Sequence, residues 1–472
     1  MKEKEEHTRH RIKRPGSSPI PLKFPPMKVY NTLTRKEEEF KTVDPHIVRM
    51  YVCGMTVQDS PHAGHMRTFT SFDVIRRYLE YRGFEVRHIQ NFTDIDDKII
   101  IKSKEQGLDW RVLAYRYMEE YRKVADMMNF RPPIFYPQAT IHIQEIIEIT
   151  ASLVNKGIAY VVDGNVWYDV SKFPDYGKLS KKSIEELKEG ARIEPDPTKR
   201  NAPDFALWKK RKPGEPYWHS PWGEGRPGWH IECSAMSITH LGETLDIHGG
   251  AEDLIFPHHE NEIAQSEAYT GKPFANYWLH AGFLTLKGEK MSKSIGNIFR
   301  ATDLLEQFDA NTVRLFYLKA HYRSRLDFSR ELLEDARRGW QRIRNFLQDS
   351  RGLEGNILPQ YMRQFEEAMD DDFNTPQAIA LVFNMVNEGY RDKEQMPHIA
   401  QTLRLILTTL GFKLEEEEAG RRLRDVMDVL IGVRNELRKR KEFDLSDRIR
   451  DELRKVGILL EDSKGGTRWK II

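Results

Sequence analysis

Apolar positions first group at Val48–Val52, a short run that predicts a buried strand leading into Cys53 and Gly54. A polar loop with Asp59, Ser60 and Pro61 follows, and then His62-Ala63-Gly64-His65. Over residues 70–82, Phe72, Ile75 and Leu79, with Val74 and Tyr78 less regularly, share one helical face, and Gly83 ends the helix. From Phe84 to Ile89 the pattern changes to alternation, which marks a strand. Strand, helix, strand in this order predicts a parallel α/β sheet. The loop after the first strand and the turn Asn91–Asp97 then lie at its carboxyl edge, where such folds bind ligands. A helix opening at the two histidines would aim its N-terminus there, which favours phosphate.

Helical periodicity returns at 110–130 and 141–156. Val161–Val170 predicts a hairpin turning at Asp163-Gly164, and residues 172–227, rich in Lys, Pro, Gly and Trp, predict irregular structure. Residues 145–228 therefore read as an insertion between two halves of a sheet domain, 27–144 and 229–300. The sheet resumes with a strand at Thr244–His248 and another at His280–Lys287. Beyond 301 the chain reads as helical, with amphipathic segments at 302–318, 330–348, 360–369, 375–391, 396–410 and 418–440. A last helix is predicted at Leu445–Val456 with Ser446 as its cap, and a turn and short strand at Gly465–Lys470. The division expected for this half is 301–359, 360–425 and 426–472.

Composition narrows the class. The 472 residues are 39% hydrophobic and 31% charged, as expected for a soluble globular chain of several domains, and no apolar run is long enough to span a membrane. Lys+Arg number 74 against Asp+Glu 72, so any surface for nucleic acid must come from uneven distribution of charge. Two cysteines, Cys53 and Cys233, exclude a disulfide scaffold. The first 26 residues, charged and then proline-rich, predict a disordered tail rather than a targeting peptide, and a cytoplasmic protein.

Three groups of residues bear chemistry. Two imidazoles beside Gly64, at a helix start, can donate to phosphate oxygens, although a lone HxGH also describes ordinary loop histidines. Lys290-Met291-Ser292-Lys293-Ser294 reads either as a solvated loop or as a mobile clamp on polyphosphate. His258 and Glu262 share a helical face at i, i+4, on a helix expected over Pro257–Ala268, and with Cys233 and Cys53 would complete a Cys₂HisGlu zinc set. His259 is the alternative ligand, and two buried structural cysteines the simpler reading. Thr93 and the aspartates near it read most simply as a helix cap.

Taken together, these residues resemble the cysteinyl-tRNA synthetase family of class I aminoacyl-tRNA synthetases. HxGH and KMSKS stand in that family's order, and longer strings carry the likeness further: Gly225–Ser234 (GRPGWHIECS), Asp246–Gly250 (DIHGG) and Phe256–Glu262 (FPHHENE). The resemblance covers about residues 28–472, with Ala63 where an aliphatic residue is usual and Ala251 where a third glycine is usual. It implies a Rossmann-type parallel-sheet domain with an insertion, followed by a helical C-terminal region. It also implies an enzyme that activates L-cysteine with ATP–Mg²⁺ to cysteinyl-adenylate and transfers it to the 3′ end of tRNA(Cys). His62, Gly64 and His65 would bind the ATP phosphates, while Lys290 and Lys293 would stabilise the transition state and the leaving pyrophosphate, with Lys293 the lysine in contact with ATP. Cys53, Cys233, His258 and Glu262 would hold one Zn²⁺ per chain, and Thr93, Trp229, His248 and Asp253 would line the cysteine pocket.

The helical half would carry tRNA. Arg421, Arg422, Arg424, Arg434, Arg438, Lys439, Arg440 and Lys441 form a basic cluster, and Trp469 between Arg468 and Lys470 is either a stacking contact for a base or a residue packed on the last helix. A monomer without a membrane partner is expected, and no editing domain. Two rivals differ in class. A ligase that passes activated cysteine to a sugar amine would not need the region beyond 360, and a non-catalytic RNA-binding relative would have lost part of the motif set.

Overall fold

The computed structural model describes residues 26–183, 186, 196–286, 289–290, 299–414, 416–463 and 466–471. The N-terminal tail and Lys293 lie outside them, and of Lys290 only the backbone is described. The N-terminal half is built on strand β1 (Ile47–Val52), helix α1 (Ala63–Tyr81), strand β2 (Glu85–Gln90) and helix α2 (Asp97–Glu105), followed much later by helix α3 (Trp229–Leu241), strand β3 (Leu245–Ala251), helix α4 (Glu260–Thr270) and strand β4 (Ala275–Ala281). The four strands form one parallel sheet in the order β4-β3-β1-β2. From β1 the chain runs through α1 to β2 on one flank, whereas β3 occupies the other flank. The crevice at the carboxyl ends of β1 and β3 is thus the point where strand order reverses, the position at which an open α/β sheet accepts ligands.

The strand–helix–strand reading from residue 48 to 89 is thus matched, with α1 beginning at the histidine motif itself. The sheet is buried on both faces: Val48, Met50, Val52 and Ile247 on one face, and Tyr51, His248 and Trp278 on the other, are at most 1% exposed, as covering helices require of a parallel sheet. An antiparallel pair, Lys28–Asn31 with Lys36–Glu39, lies outside the sheet and has no counterpart in the sequence reading.

Between β2 and α3 the predicted hairpin forms, Ala159–Val162 with Asn165–Tyr168, turning at Asp163 and Gly164, both at positive φ. The expectation of irregular structure up to 227 is corrected. Phe205–Lys210, Trp218–Ser220 and Gly223–Pro227 join the hairpin in a five-stranded antiparallel sheet.

In the C-terminal half the helix expected at 302–318 is two, Ala301–Gln307 and Ala310–Leu318. The break comes at Phe308, which is extended, and at Asp309, whose carboxylate caps the second helix by accepting from Thr312 N at 3.0 Å. Helices Arg330–Asp349, Pro359–Asp370, Thr375–Arg391, Met396–Thr409, Glu416–Lys439 and Phe443–Lys455 follow, and the chain closes on a hairpin, Ile458–Ser463 with Gly466–Ile471. Ser446 does not cap the last helix. It lies one turn inside, fully buried, with its N–H on Glu442 O at 3.3 Å.

Helix α1 joins the two halves. Midway along it, Asp73 accepts from Arg77 (2.9 Å) and from Arg314 (2.8 Å), and the Arg314 guanidinium also reaches Leu410 O and Met128 O at 3.1 and 2.7 Å. All three side chains are at most 7% exposed. Removing the acid would leave two buried guanidinium ions facing each other. Asp73→Ala is therefore expected to destabilise the protein by about 3–5 kcal/mol, read as a large fall in the urea midpoint, whereas an exposed pair such as Arg87–Glu85 should give under about 1 kcal/mol. A midpoint unchanged by Asp73→Ala would show that the network is not needed for docking.

Candidate functional site

At the end of β1 the chain passes so close to the end of β2 that only glycine fits. A Cβ on Gly54 would stand 1.7 Å from Asn91 O, and Gly54 N donates to Asn91 Oδ1 at 2.8 Å. On the other side Cys53 N donates to Gly249 O of β3 at 2.9 Å. The Cys53 thiol is thereby fixed at the strand-order reversal, where α3 brings Cys233 and α4 brings Glu262.

Four buried donor atoms converge there. Cys53 Sγ lies 3.8 Å from Cys233 Sγ and 3.5 Å from Glu262 Oε1, and His258 Nε2 lies 3.1 Å from Glu262 Oε1. A tetrahedral zinc centre with ordinary bond lengths would have edges of about 3.8 Å between sulfurs, about 3.6 Å from sulfur to oxygen and about 3.4 Å from nitrogen to oxygen. The observed edges fit that polyhedron. α4 starts at Glu260, later than the predicted Pro257, because an irregular turn, Ile255–His259, precedes it; the turn feeds directly into the helix and keeps His258 over Glu262.

A second set, Cys53, His248, His259 and Glu262, also brings its donor atoms within 4.8 Å of one another. Cys53 Sγ is 3.6 Å from His248 Nε2 and 3.3 Å from His259 Nε2. The two sets share Cys53 and Glu262 and differ in their other two members. Around them each histidine has a partner for its second nitrogen or a ring against it: His258 Nδ1 meets His230 Nδ1 at 3.0 Å, and His259 Nδ1 meets His280 Nε2 at 2.8 Å. Trp229, at the start of α3, lays its ring 4.3 Å from that of His258.

The electrostatics call for a cation. Burial pushes the Cys53 thiol and the Glu262 carboxyl well up, with the neighbouring Cys233 adding to the shift at Cys53. Burial likewise pushes His258 and His259 well down, and His230, His248 and His280 to about 3. Among the described residues no lysine or arginine pairs with Glu262; its ion-pair neighbours are His248, His258 and His259. A fully buried carboxylate among thiols and neutral imidazoles is costly alone and is the donor set a divalent transition metal takes.

The histidine motif caps α1. His62 is the N-cap, with Nδ1 accepting from His65 N at 3.2 Å, and His65 Nδ1 accepts from His62 N at 3.4 Å. The rings stack at 3.5 Å between centroids. Each Nδ1 is an acceptor, so in a neutral ring the proton sits on Nε2, and each ring carries an N–H donor beside a helix N-terminus. Both histidines, with Gly64, Thr68 and Phe69, line an open cleft of about 310 Å³ whose wall also includes Cys53, Trp229, Ala251 and Asp253. Thiol cluster and helix start therefore share one cavity. The lysine loop is anchored to the same place: Lys290 pairs by backbone with Thr285, and beyond the loop Phe299 O accepts from Ala63 N while Ala301 N donates to Pro61 O, both at 2.9 Å.

The four residues expected around the amino acid are placed unequally. Trp229 and Asp253 line the cleft, whereas Thr93 and His248 are 2% and 0% exposed beneath it. Thr93 is not the cap of α2. That role belongs to Asp96, which accepts from Lys98 N at 2.9 Å, while Thr93 bridges Met55 and Val57 by backbone. Ala251 has extended dihedrals, φ −76° and ψ 154°, which need no glycine. Sequence reasoning missed Glu232, His230 and His280. His230 and Glu232 lie within the string Gly225–Ser234 and His280 opens the strand expected at His280–Lys287, and only the packing of α3 and β4 against the cluster reveals their place.

Towards the C-terminal end the basic cluster divides. Arg438, Lys439, Arg440 and Lys441 are exposed, but Arg434 is fully buried and donates to Thr467 Oγ1 at 3.4 Å, so it is not part of a surface. Trp469 is half-buried against the cluster of Met427, Ile458 and Leu460.

Comparison with known proteins shows the family. Residues 39–338 match the model of the tRNA synthetases class I (C) catalytic domain, and residues 364–415 match the DALR domain. The chain is 50% identical over 465 residues to the cysteine–tRNA ligase of Carboxydothermus hydrogenoformans, covering 94% of this chain and all of that one. It is 48% identical over 459 residues to that of Thermotoga maritima, with the same coverage. Among solved structures, Mycobacterium tuberculosis methionyl-tRNA synthetase in complex with methionyl-adenylate superposes with a TM-score of 0.57 at 14% identity, over 77% of this chain and 89% of that one, a likeness of fold. Among the described residues no helix is long and apolar enough to cross a membrane. With the thiol cluster and the helix-capping histidines in one cleft, and kinship running over nearly its whole length, the chain belongs to the cysteine–tRNA ligase family.

Proposed function

We propose that this cleft carries out both steps of cysteine–tRNA ligation, and that the residues gathered in it divide the work. The observation that supports this reading best is the single cavity lined by both Cys53 and the His62/His65 cap. His62 and His65 donate from Nε2 to phosphate oxygens of ATP, which arrives with Mg²⁺, and the N-terminus of α1 adds its dipole. The cysteine carboxylate attacks the α-phosphate, forming cysteinyl-adenylate and releasing pyrophosphate. Lys290 and Lys293 neutralise the charge that builds on the transferred and leaving phosphates. The terminal ribose hydroxyl of tRNA(Cys) then attacks the acyl carbon and AMP leaves.

Cys53, Cys233, His258 and Glu262 hold one Zn²⁺, which when bound supplies a soft Lewis acid favouring a thiolate over an alcohol. Trp229 packs on His258 and fixes its ring, and Asp253 faces the amino group of the substrate. Thr93 and His248 support the pocket from below. Positioning and fixed electrostatics supply the rate, without a covalent nucleophile on the enzyme.

The division of the chain that goes with this reading is a catalytic domain in two parts, 27–144 and 229–300, around a connective insertion at 145–228. A stem-contacting segment at 301–359, a bundle at 360–425 and an anticodon-binding end at 426–472 follow, in a cytoplasmic monomer.

The purified chain is expected to catalyse cysteine-dependent exchange between pyrophosphate and ATP without tRNA. A strong chelator should abolish the exchange and lower the melting temperature, and zinc should restore both. Exchange that persists after the metal is gone would count against the metal's role, and absence of exchange with zinc and magnesium present would count against the ligase reading itself.

A further inference from the structure

The cleft contains a cation that the steps above leave unused. Lys98 stands in the first turn of α2 and lines the same cavity as His62, His65 and Asp59. It is exposed, and among the described residues no carboxylate lies within ion-pair distance of its ammonium. Lys102, one turn further along the same face, is different: its Nζ sits 2.8 Å from Asp59, both side chains about three-quarters covered. The loop acid nearest this face thus pairs with Lys102, and Lys98 is left to the cavity.

The base of that lysine is fixed from two sides. Its own N–H is bound by the Asp96 cap at 2.9 Å. Asp97, beside it, is gripped from the inserted sheet by Lys209 at 2.6 Å and by Arg226, whose side chain is 3% exposed and which also meets Glu215 at 3.4 Å. Burial alone would raise the Asp97 carboxyl, but the two cations outweigh it and hold it at about 2, so this clamp is ionised throughout the physiological range. A lysine whose backbone is held this firmly, while its charged end meets no carboxylate among the described residues, is arranged to meet an anion that arrives with the substrate. Every large anion this cleft handles is a phosphate.

We propose that Lys98 is a further substrate-binding residue of the ligase, binding phosphate oxygens in this cavity. The assignment rests on the function proposed above. Two substrates bring that chemistry: ATP, with its triphosphate, and the 3′ end of tRNA, with its last phosphodiester. A single charge-assisted contact of this type, once lost, costs about tenfold or more. The test uses the full chain carrying Lys98→Gln or Lys98→Arg in two arms. The first is cysteine-dependent pyrophosphate–ATP exchange without tRNA, and the second is single-turnover transfer of cysteine from enzyme-bound adenylate to tRNA.

Lys98→Gln is expected to lose about tenfold or more in kcat/KM of one arm, with Lys98→Arg retaining most of it, and both variants melting like wild type because the side chain is exposed. A loss in the first arm assigns ATP, and a loss in the second assigns the tRNA end. Both arms within about twofold of wild type, or Lys98→Arg as impaired as Lys98→Gln, would overturn the assignment. Wild-type protein that performs no exchange would instead overturn the ligase reading on which it stands.

Discussion

Cys233→Ser is expected to remove the bound metal and to reduce cysteine-dependent exchange about a thousandfold, while leaving most of the folded structure in place. The two sulfurs, 3.8 Å apart, form the soft edge of the donor set, and a serine hydroxyl cannot supply the second thiolate. The two overlapping sets make the experiment sharper. Cys233 and His258 belong to one, His248 and His259 to the other, and Cys53 and Glu262 to both. If the metal sits in the first, Cys233→Ser abolishes stoichiometric zinc, whereas His259→Gln weakens affinity by about 10–100-fold, as expected for a group that only hydrogen-bonds a ligand. The reverse order, with full zinc in Cys233→Ser and none in His259→Gln, would move the centre to the second set. Selectivity should follow the metal. An apolar pocket separates analogues only about 10–200-fold, so a variant without metal should also lose most of its preference for cysteine over serine.

How much of this was legible in the sequence depended on whether neighbours in the chain were neighbours in space. The β1–α1–β2 unit was readable because each element has its own period, and the histidine cap lies within four residues of one helix start. The metal cluster was not readable from spacing, since Cys53 and Cys233 are 180 positions apart. It came from the likeness of longer strings, and the shared cleft required the fold. The strands between 205 and 227 were misread for a physical reason. Gly225 and Gly228 resemble turn residues, yet they sit where a Cβ would lie 2.3 Å from Trp208 Nε1 and 1.9 Å from Ala206 O. These glycines let strands and side chains pack closely instead of breaking them. Arg434 and Ser446 failed in the opposite sense. Both are polar residues expected at the surface or at a cap, and both are fully buried near the C-terminal end, because tertiary packing there overrides local preference.

The histidine motif gives the other large effect, and here folding and chemistry can be separated. His62 caps α1 through Nδ1, so His62→Ala would lose both a cap, worth about 0.5–2 kcal/mol, and a phosphate donor. Asparagine is among the best N-cap residues and its carbonyl oxygen can accept the same bond from His65 N. His62→Asn should therefore melt within a few degrees of wild type, yet lose the Nε2–H that the reciprocal cap holds toward the cleft. Removing one preorganised donor from a charge-bearing transition state costs about 10²–10³ in rate, so exchange should fall by that factor, mainly in kcat. His65→Asn should behave alike, because its ring is held by the mirror-image bond to His62 N. The double variant should lose less than the product of the two, since rings stacked at 3.5 Å position each other and act on one phosphate chain. Metal content should not change in any of the three. If His62→Asn exchanges pyrophosphate at the wild-type rate, the imidazoles serve only as the cap of α1, and the phosphate site must be sought among the cleft lysines instead.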